Sequence, residues 1–310
     1  MVSERKLIER IRLKLGPQRG GRVVLGIGDD CAIFRSRGAR EDLLFTTDLL
    51  IEDVHFRRDT HRAEDAGWKA LARGLSDIAA MGGQAHFCLL SLALPEWVDM
   101  AWVNAFYRGL LLLAGRSSVT LAGGDLAHSA SLTCDIVVCG SAPRGKALRR
   151  DGARAGDALY VSGQLGGSAL ALAEAPRART GAAWRRHLRP EPRLALGRFL
   201  RERLKASAAM DLSDGLSIDV ARLCEASQVS AVIGPPPRFP GASLEQALHG
   251  GEDYEILFTV RPNIKVPAAF GGLPLTQIGS IRSGVPGRVF LDGKPLEPLG
   301  YDHFRRRMKT

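Results

Sequence analysis

Apolar residues recur along this chain with two different periods. In "AEDAGWKALARGLSDIAAMG" (63–82), Trp68, Leu71, Ala72, Leu75, Ile78 and Ala79 share one helical face and Gly82 supplies a stop, which predicts an amphipathic helix. "PEWVDMAWVNAFYRGLLLLAG" predicts a second, from about Pro95 to Gly115. The runs "RVVLGIG", "DLLFTTDLL", "HFCLLSLALP", "SVTLAGGD" and "LTCDIVVCGSA" are rich in β-branched and aliphatic residues. They are bounded by Gly, Pro or Asp, and read as strands.

The polar, basic stretch "APRGKALRRDGARAGD" interrupts this series and reads as a connector. Beyond it, "ALYVSG" reads as a strand, and "LGGSALALAEA", "EPRLALGRFLRERLK" and "SIDVARLCEAS" carry helical patterns. A proline-rich loop, "IGPPPRFPG", leads to the strands "YEILFTV", "TQIGSI" and "GRVFLDG". Both halves mix strands with amphipathic helices, so the expected fold class is α/β plus α+β, with mixed sheets covered by helices. The expected boundary lies near residue 145, giving domains 1–144 and 145–310; no tandem repeat is visible.

Charge changes the picture less than its size suggests. A formal charge of +10 over 310 residues invites a nucleic-acid partner. The arginines are spread along the chain, the one dense run is the terminal "FRRRMKT", and aromatics for stacking bases are few. Nucleic acid is therefore not an expected partner, whereas a diffusely basic surface suits small phosphorylated anions. Cys31, Cys88, Cys134, Cys139 and Cys224 are scattered and form no CxxC pair, which argues against zinc. "MVSERKLIERIRLKL" has no apolar core, and "GLLLLAG" is too short to span a bilayer. A cytoplasmic protein without a membrane partner is expected.

Familiar phosphate and metal motifs fail on one or two residues each. "GSAPRGKA" (140–147) resembles a P-loop, but Ala147 stands where a hydroxyl must hold magnesium. "GIGDDC" lacks the third glycine of a dinucleotide fingerprint. Read as a calcium loop, "MDLSDGLSIDVA" has Met210 and Ala221 where acids are required.

What remains is a set of acids at strand or loop ends, each beside Gly, Ser or Thr: Asp29, Asp30, Asp48, Asp77, Asp125, Asp211 and Asp214. Hard oxygen ligands of this kind suit magnesium, with Thr46 and Thr47 as neutral oxygens beside Asp48. Each has a simpler structural alternative. Asp77 lies one turn from Arg73 on the face opposite the apolar stripe, as for an i,i+4 ion pair. Asp211 and Asp214 could cap a helix beginning near Leu216, and Asp125 could occupy a turn.

Seven segments, "GIGDDCA", "TTDLLIEDVHF", "KALARGLSDIAAMGG", "AGGD", "MDLSDGLSIDVARL", "GGEDYEILFTV" and "GYDHF", together resemble the thiamine-monophosphate kinase family over residues 25–304. "GIGDD" alone marks only the wider aminoimidazole-ribonucleotide synthetase-like superfamily. The resemblance implies that superfamily's two-domain fold, an N-terminal domain that dimerises through its sheet, and ATP bound between domains without a P-loop. It implies ATP-dependent phosphorylation of thiamine monophosphate to thiamine pyrophosphate, with several magnesium ions. By motif, the metal ligands would be Asp30, Thr46, Thr47, Asp48, Asp77, Asp125, Asp211 and Asp214. ATP would meet Tyr107, Gly124, Asp125, Arg150 and Ser213, with Arg149 an alternative to Arg150. The substrate would meet His55, Glu252 and Tyr301. The nucleophile, a phosphate oxygen, is already ionised near neutral pH, so no general base is expected.

Two relatives of the same superfamily are the alternatives. A selenophosphate synthetase would need a reactive Cys in a flexible N-terminal segment, whereas Cys31 follows the paired aspartates. A hydrogenase-maturation ATPase would end in a cysteine tail, whereas this chain ends "RRRMKT".

Overall fold

The structure is a computed structural model that describes residues 4–15, 21–174 and 180–304. The basic run after Phe304 lies outside the described residues.

The first half comprises α1 (Glu4–Leu15), β1 (Val23–Leu25), β2 (Ala32–Phe34), β3 (Glu41–Ile51), α2 (Ala63–Ala80), β4 (Gln84–Leu94), α3 (Met100–Ser117), β5 (Thr120–His128) and β6 (Thr133–Pro143). Its sheet runs in the order β1-β2-β3-β6-β4-β5; every pair is antiparallel except β4 with β5. Alternation along the strands sends Leu44, Leu90, Ile136 and Val138 to one face, where Leu71, Leu75 and Ile78 of α2 pack on them. The helix-facing side is a core of fully buried aliphatic residues. The opposite face is open, and Leu49 and Leu89 are exposed on it.

Helix α3 starts at Met100 rather than Pro95 because the Asp99 carboxylate accepts the Trp102 N–H at 2.7 Å and caps it there. It lies close on α2 at two glycines. A Cβ at Gly67 would sit 1.9 Å from Phe106 O, and one at Gly109 would sit 1.8 Å from Glu64 O.

The second half comprises β7 (Ala158–Ser162), α4 (Gly167–Ala173), α5 (Ala182–Leu188), α6 (Leu194–Phe199), β8 (Ala208–Asp211), α7 (Leu216–Ala226), β9 (Ser230–Ile233), α8 (Leu244–His249), β10 (Ile256–Val260), β11 (Ala269–Phe270), β12 (Leu273–Arg282), β13 (Val289–Leu291) and β14 (Lys294–Pro295). Its sheet runs β14-β13-β9-β12-β7-β10-β8, with β11 paired to β12. Leu216, Val220 and Leu223 of α7 pack on one face against Leu159, Val161 and Met210. Leu196 and Leu200 pack with Ala209 and Phe258 in a separate cluster that also takes in Ala79 of α2. The helix predicted over 191–205 is therefore two pieces, α6 and a π-helical turn over Leu200–Leu204.

The two halves meet along α2. At Gly197 of α6 an added Cβ would lie 1.9 Å from Ala79 O, so the contact is backbone to backbone. Among the described residues no strand is shared between the sheets. One side of α2 thus serves the first sheet and the other faces the second half.

Candidate functional site

The side of α2 that faces the second half carries a row of polar residues: Asp65, Lys69, Arg73, Ser76 and Asp77. By spacing alone this row reads as a solvated face. The structure corrects that reading, because Lys69 and Ser76 are 0% and 1% exposed. Every member has a partner on another element. Asp65 accepts from Arg189, Lys69 pairs with Glu252, Arg73 with Asp48, Ser76 donates to Asp211, and Asp77 accepts from Thr46. The anticipated Arg73–Asp77 pair is replaced by these long-range contacts.

Three carboxylates converge at the C-terminal part of this row. Asp30 comes from the loop between β1 and β2, Asp77 from α2 and Asp211 from the end of β8; one oxygen of each lies within 4.8 Å of the others. Each is aimed by a neighbour. Arg150 grips Asp30, the Thr46 hydroxyl donates to Asp77, and Ser76 Oγ donates to Asp211 at 2.7 Å. Burial and mutual repulsion hold Asp77 and Asp211 well above the usual carboxylate range. The second oxygen of Asp30 is buried with no hydrogen-bond partner among the described residues. Clustered acids and an orphaned buried oxygen are an environment that a divalent cation would complete.

Asp29 turns the other way. It accepts the N–H groups of Asp30 and Arg150 at 3.0 and 3.2 Å, so it shapes the loop. Burial, with Asp30 beside it, pushes its pKa up to about 7. Arg150 is committed to this pair of aspartates, whereas Arg149 bonds Asp151 at the surface.

Asp48, Asp77, Asp211 and Asp214 line a cleft of about 540 Å³ together with Arg73 and Ser213. Asp211 and Asp214 do not cap α7. That helix has Gly215 at its N-cap, and Asp219 within its first turn accepts the Asp214 and Gly215 N–H groups at 3.2 and 3.1 Å. Asp214 instead takes an ion pair from Arg222.

The far wall holds His55, Glu252, Tyr301 and His303. His55 accepts the Ile51 N–H through Nδ1 at 3.0 Å, and burial pushes its pKa down to about 3, so the ring is neutral. Its Nε2 is buried without a hydrogen-bond partner among the described residues. His303 lies between His55 and Tyr301, tilted against the first and edge-on to the second, with ring centroids 5.0 and 4.8 Å away. Burial works against ionisation of Glu252, but the Lys69 ammonium prevails and holds it below its ordinary value. The loop carrying Glu252 has φ of +65° there and +50° at Tyr254, a left-handed path uncommon for residues with a side chain.

Of the residues implied by the resemblance, Asp30, Thr46 and Arg150 lie behind the acids of this cleft rather than on its lining, and Thr47, Asp125, Gly124 and Tyr107 lie elsewhere. Thr47 points to the open face of the first sheet, where its hydroxyl donates to Asp135 at 2.6 Å. Asp125 lies in edge strand β5 opposite Ser91, which is itself opposite Asp135, so it shares that open face and is no turn residue. Gly124 is in the same edge strand, and Tyr107 packs edge-on against Phe106 in α3. Sequence reasoning missed Lys69, Arg73, Ser76, Arg222 and His303. One signal for the first three was present. Apart from them and Asp77, "KALARGLSDIAAMGG" is almost wholly small or apolar, as expected of a helix buried all round.

The sequence model for the N-terminal domain of AIR synthase related proteins covers residues 28–142, and the chain has the corresponding two-sheet fold. The cleft and its acids thus sit in an AIR synthase-like enzyme scaffold. The chain is 39% identical to thiamine-monophosphate kinase of Escherichia coli (strain K12), covering 91% of this chain and 92% of that one. It is 35% identical to that of Bacillus subtilis (strain 168), with 91% and 94% covered. The chain belongs to the thiamine-monophosphate kinase family. Among solved structures, AaThiL complexed with AMPPCP and TMP superposes with a TM-score of 0.84 at 33% identity, covering 98% of this chain and 97% of that one. Hydrogenase maturation protein HypE in complex with ATP, at 17% identity and a TM-score of 0.67 over 82% and 84% of the chains, shares the fold.

Proposed function

We propose that this protein transfers the γ-phosphoryl group of ATP to the phosphate of thiamine monophosphate, giving thiamine pyrophosphate and ADP. The observation that carries the reading is the convergence of Asp30, Asp77 and Asp211, from three separate elements, with Asp77 and Asp211 lining a cleft roomy enough for phosphorylated ligands. Family membership and a neighbour complexed with AMPPCP and TMP support the choice of substrates.

Asp30, Asp77 and Asp211 would hold magnesium, with Asp48 and Asp214 at the cleft wall and Thr46 behind Asp77. Bound there, magnesium supplies the positive charge that offsets repulsion between two polyanionic reactants. The chain's own work is positioning. Arg150, Ser76 and Thr46 fix the three carboxylates, and Arg73 fixes Asp48. Ser213 and Arg150 are assigned to ATP, and His55, Glu252 and Tyr301 to thiamine monophosphate. No group is needed to remove a proton, because the attacking oxygen is already ionised, so the rate rests on alignment and electrostatics.

We assign 1–144 and 145–310 as two domains and expect a homodimer. The open sheet face with Leu49 and Leu89 is the surface a second copy would cover, and it would bring Thr47 and Asp125 into an interface. No described helix is long and apolar enough to cross a membrane. A cytoplasmic setting, with the five buried free cysteines kept reduced, accords with this reading.

The test is incubation of purified protein with ATP, magnesium chloride and thiamine monophosphate. Thiamine pyrophosphate should accumulate and a chelator should stop it. Release of free phosphate without thiamine pyrophosphate would reject the reading in favour of another ATP-using member of the superfamily.

A further inference from the structure

We propose that Lys69 is a positioning residue of this site: from beneath the cleft its ammonium joins the Glu252 carboxylate and the His55 peptide into one rigid wall. The inference rests on the substrate-binding reading of Glu252 and His55. Lys69 is 0% exposed. Its Nζ lies 2.8 Å from Glu252 Oε1 and donates to His55 O at 3.1 Å. Those two partners are 197 positions apart in sequence and both line the cleft, so one side chain of α2 ties together segments from both halves of the chain.

Stability does not account for a lysine here. A buried ion pair is matched or exceeded by a well-packed apolar pair of similar volume, and its neighbours Ala70, Leu71 and Ala72 show that α2 packs readily without charge. An ammonium supplies what a methyl group cannot: a fixed charge with several donors under a carboxylate that opens to the cleft. The remainder of the Glu252 loop is pinned to suit. Glu252 N–H donates to Ser213 O at 2.7 Å, and Asp253 turns away to accept the Gly166 and Gly167 N–H groups at 2.6 and 3.1 Å. His187 Nδ1 stands 3.4 Å from the other Glu252 oxygen. The carboxylate is thereby held by Lys69, with 22% of its side chain left exposed.

A double-mutant cycle of Lys69→Met and Glu252→Gln tests this, with KM measured separately for thiamine monophosphate and for ATP. Lys69→Met should raise KM for thiamine monophosphate by about tenfold or more while KM for ATP stays within about twofold. In the Glu252→Gln background the same change should add less than about threefold, because Lys69 acts through the carboxylate already removed. If Lys69→Met does not fold, the comparison of Glu252→Gln with the double variant decides alone. A fall in kcat with both KM values unchanged, or fully multiplicative effects, would overturn the role of Lys69. A wild-type protein that forms no thiamine pyrophosphate would instead reject the reaction, which separates the two failures.

Discussion

Arg73 donates to Asp48 of β3 at 3.0 Å, not to Asp77 one turn further along its own helix. The same guanidinium donates to Leu49 O, so it clamps the strand from which Thr46 and Asp48 project toward α2. Removing one partner of such a pair leaves an uncompensated charge in a poorly hydrated place. Arg73→Met should lower metal-free stability by about 3 kcal/mol, read from urea denaturation. Adding Asp48→Asn should recover most of that loss. A Met variant as stable as the wild type would show that the clamp carries no weight.

The acid cluster makes a prediction of opposite sign. Asp211 is 2% exposed, and burial and Asp30 raise its pKa well above the ordinary carboxylate value. A carboxyl with a raised folded pKa binds more protons folded than unfolded. Metal-free stability should therefore fall as pH rises above the unfolded value near 3.8. Asp211→Asn removes that penalty and can still accept from Ser76. It should be as stable as the wild type or more so at pH 7.5, with the advantage vanishing near pH 4. Turnover should nevertheless be lost, and added magnesium should raise the melting temperature of the wild type only. A metal-free Asn variant that melts well below the wild type at pH 7.5 would make Asp211 a structural residue.

Acid stability should be governed in part by His187. Its ring is 2% exposed, lies 2.8 Å from Ser168 Oγ, and is kept neutral because burial pushes its pKa down to about 2, helped by Lys69. The unfolded chain binds a proton at His187 below about pH 6.5, whereas the folded chain does so only near 2. Its contribution is thus complete above pH 6.5 and lost progressively as pH falls toward 2. His187→Gln should cost about 1 kcal/mol at pH 7.5 through the lost contact with Ser168. At pH 5 the gap to the wild type should narrow or reverse. Parallel stability profiles for the two proteins between pH 7.5 and 5 would exclude this role.

The parts legible in the sequence were those fixed by local pattern. Trp68, Leu71, Leu75 and Ile78 announce α2 because their spacing suits one sheet, and β3, β4 and β6 follow from dense aliphatic and β-branched runs. The strand "AIF" (β2) is too short to carry a period, and α5, "AAWRRHL", looks solvated. Its Trp184 and His187 are buried, and Arg186 grips the fully buried Glu255. Such burial depends on which distant segment docks there, as do the partners of Lys69 and Arg73. The acids of the site were visible as residue types. That Thr46 and Thr47 serve opposite faces follows from strand alternation, but only once the covered face of β3 is known.

Gly124 separates a packing role from a ligand role. It pairs with Leu90 across the parallel β4–β5 ladder, and a Cβ there would lie 1.8 Å from Leu90 O. That approach alone requires glycine, because the obstacle is backbone and cannot swing aside. Gly124→Ala should push β5 away from the sheet edge and lower ligand-free stability by about 2 kcal/mol. The folded fraction should keep KM for ATP within about twofold of the wild type, since Ser213 and Arg150, not this strand, are assigned to the nucleotide. Hydrogen exchange should show the loss of protection confined to β5 and its partner stretch of β4, with the ladder between β3 and β6 unchanged. An alanine variant of normal stability whose KM for ATP rises on the order of tenfold would place the nucleotide against this edge strand instead.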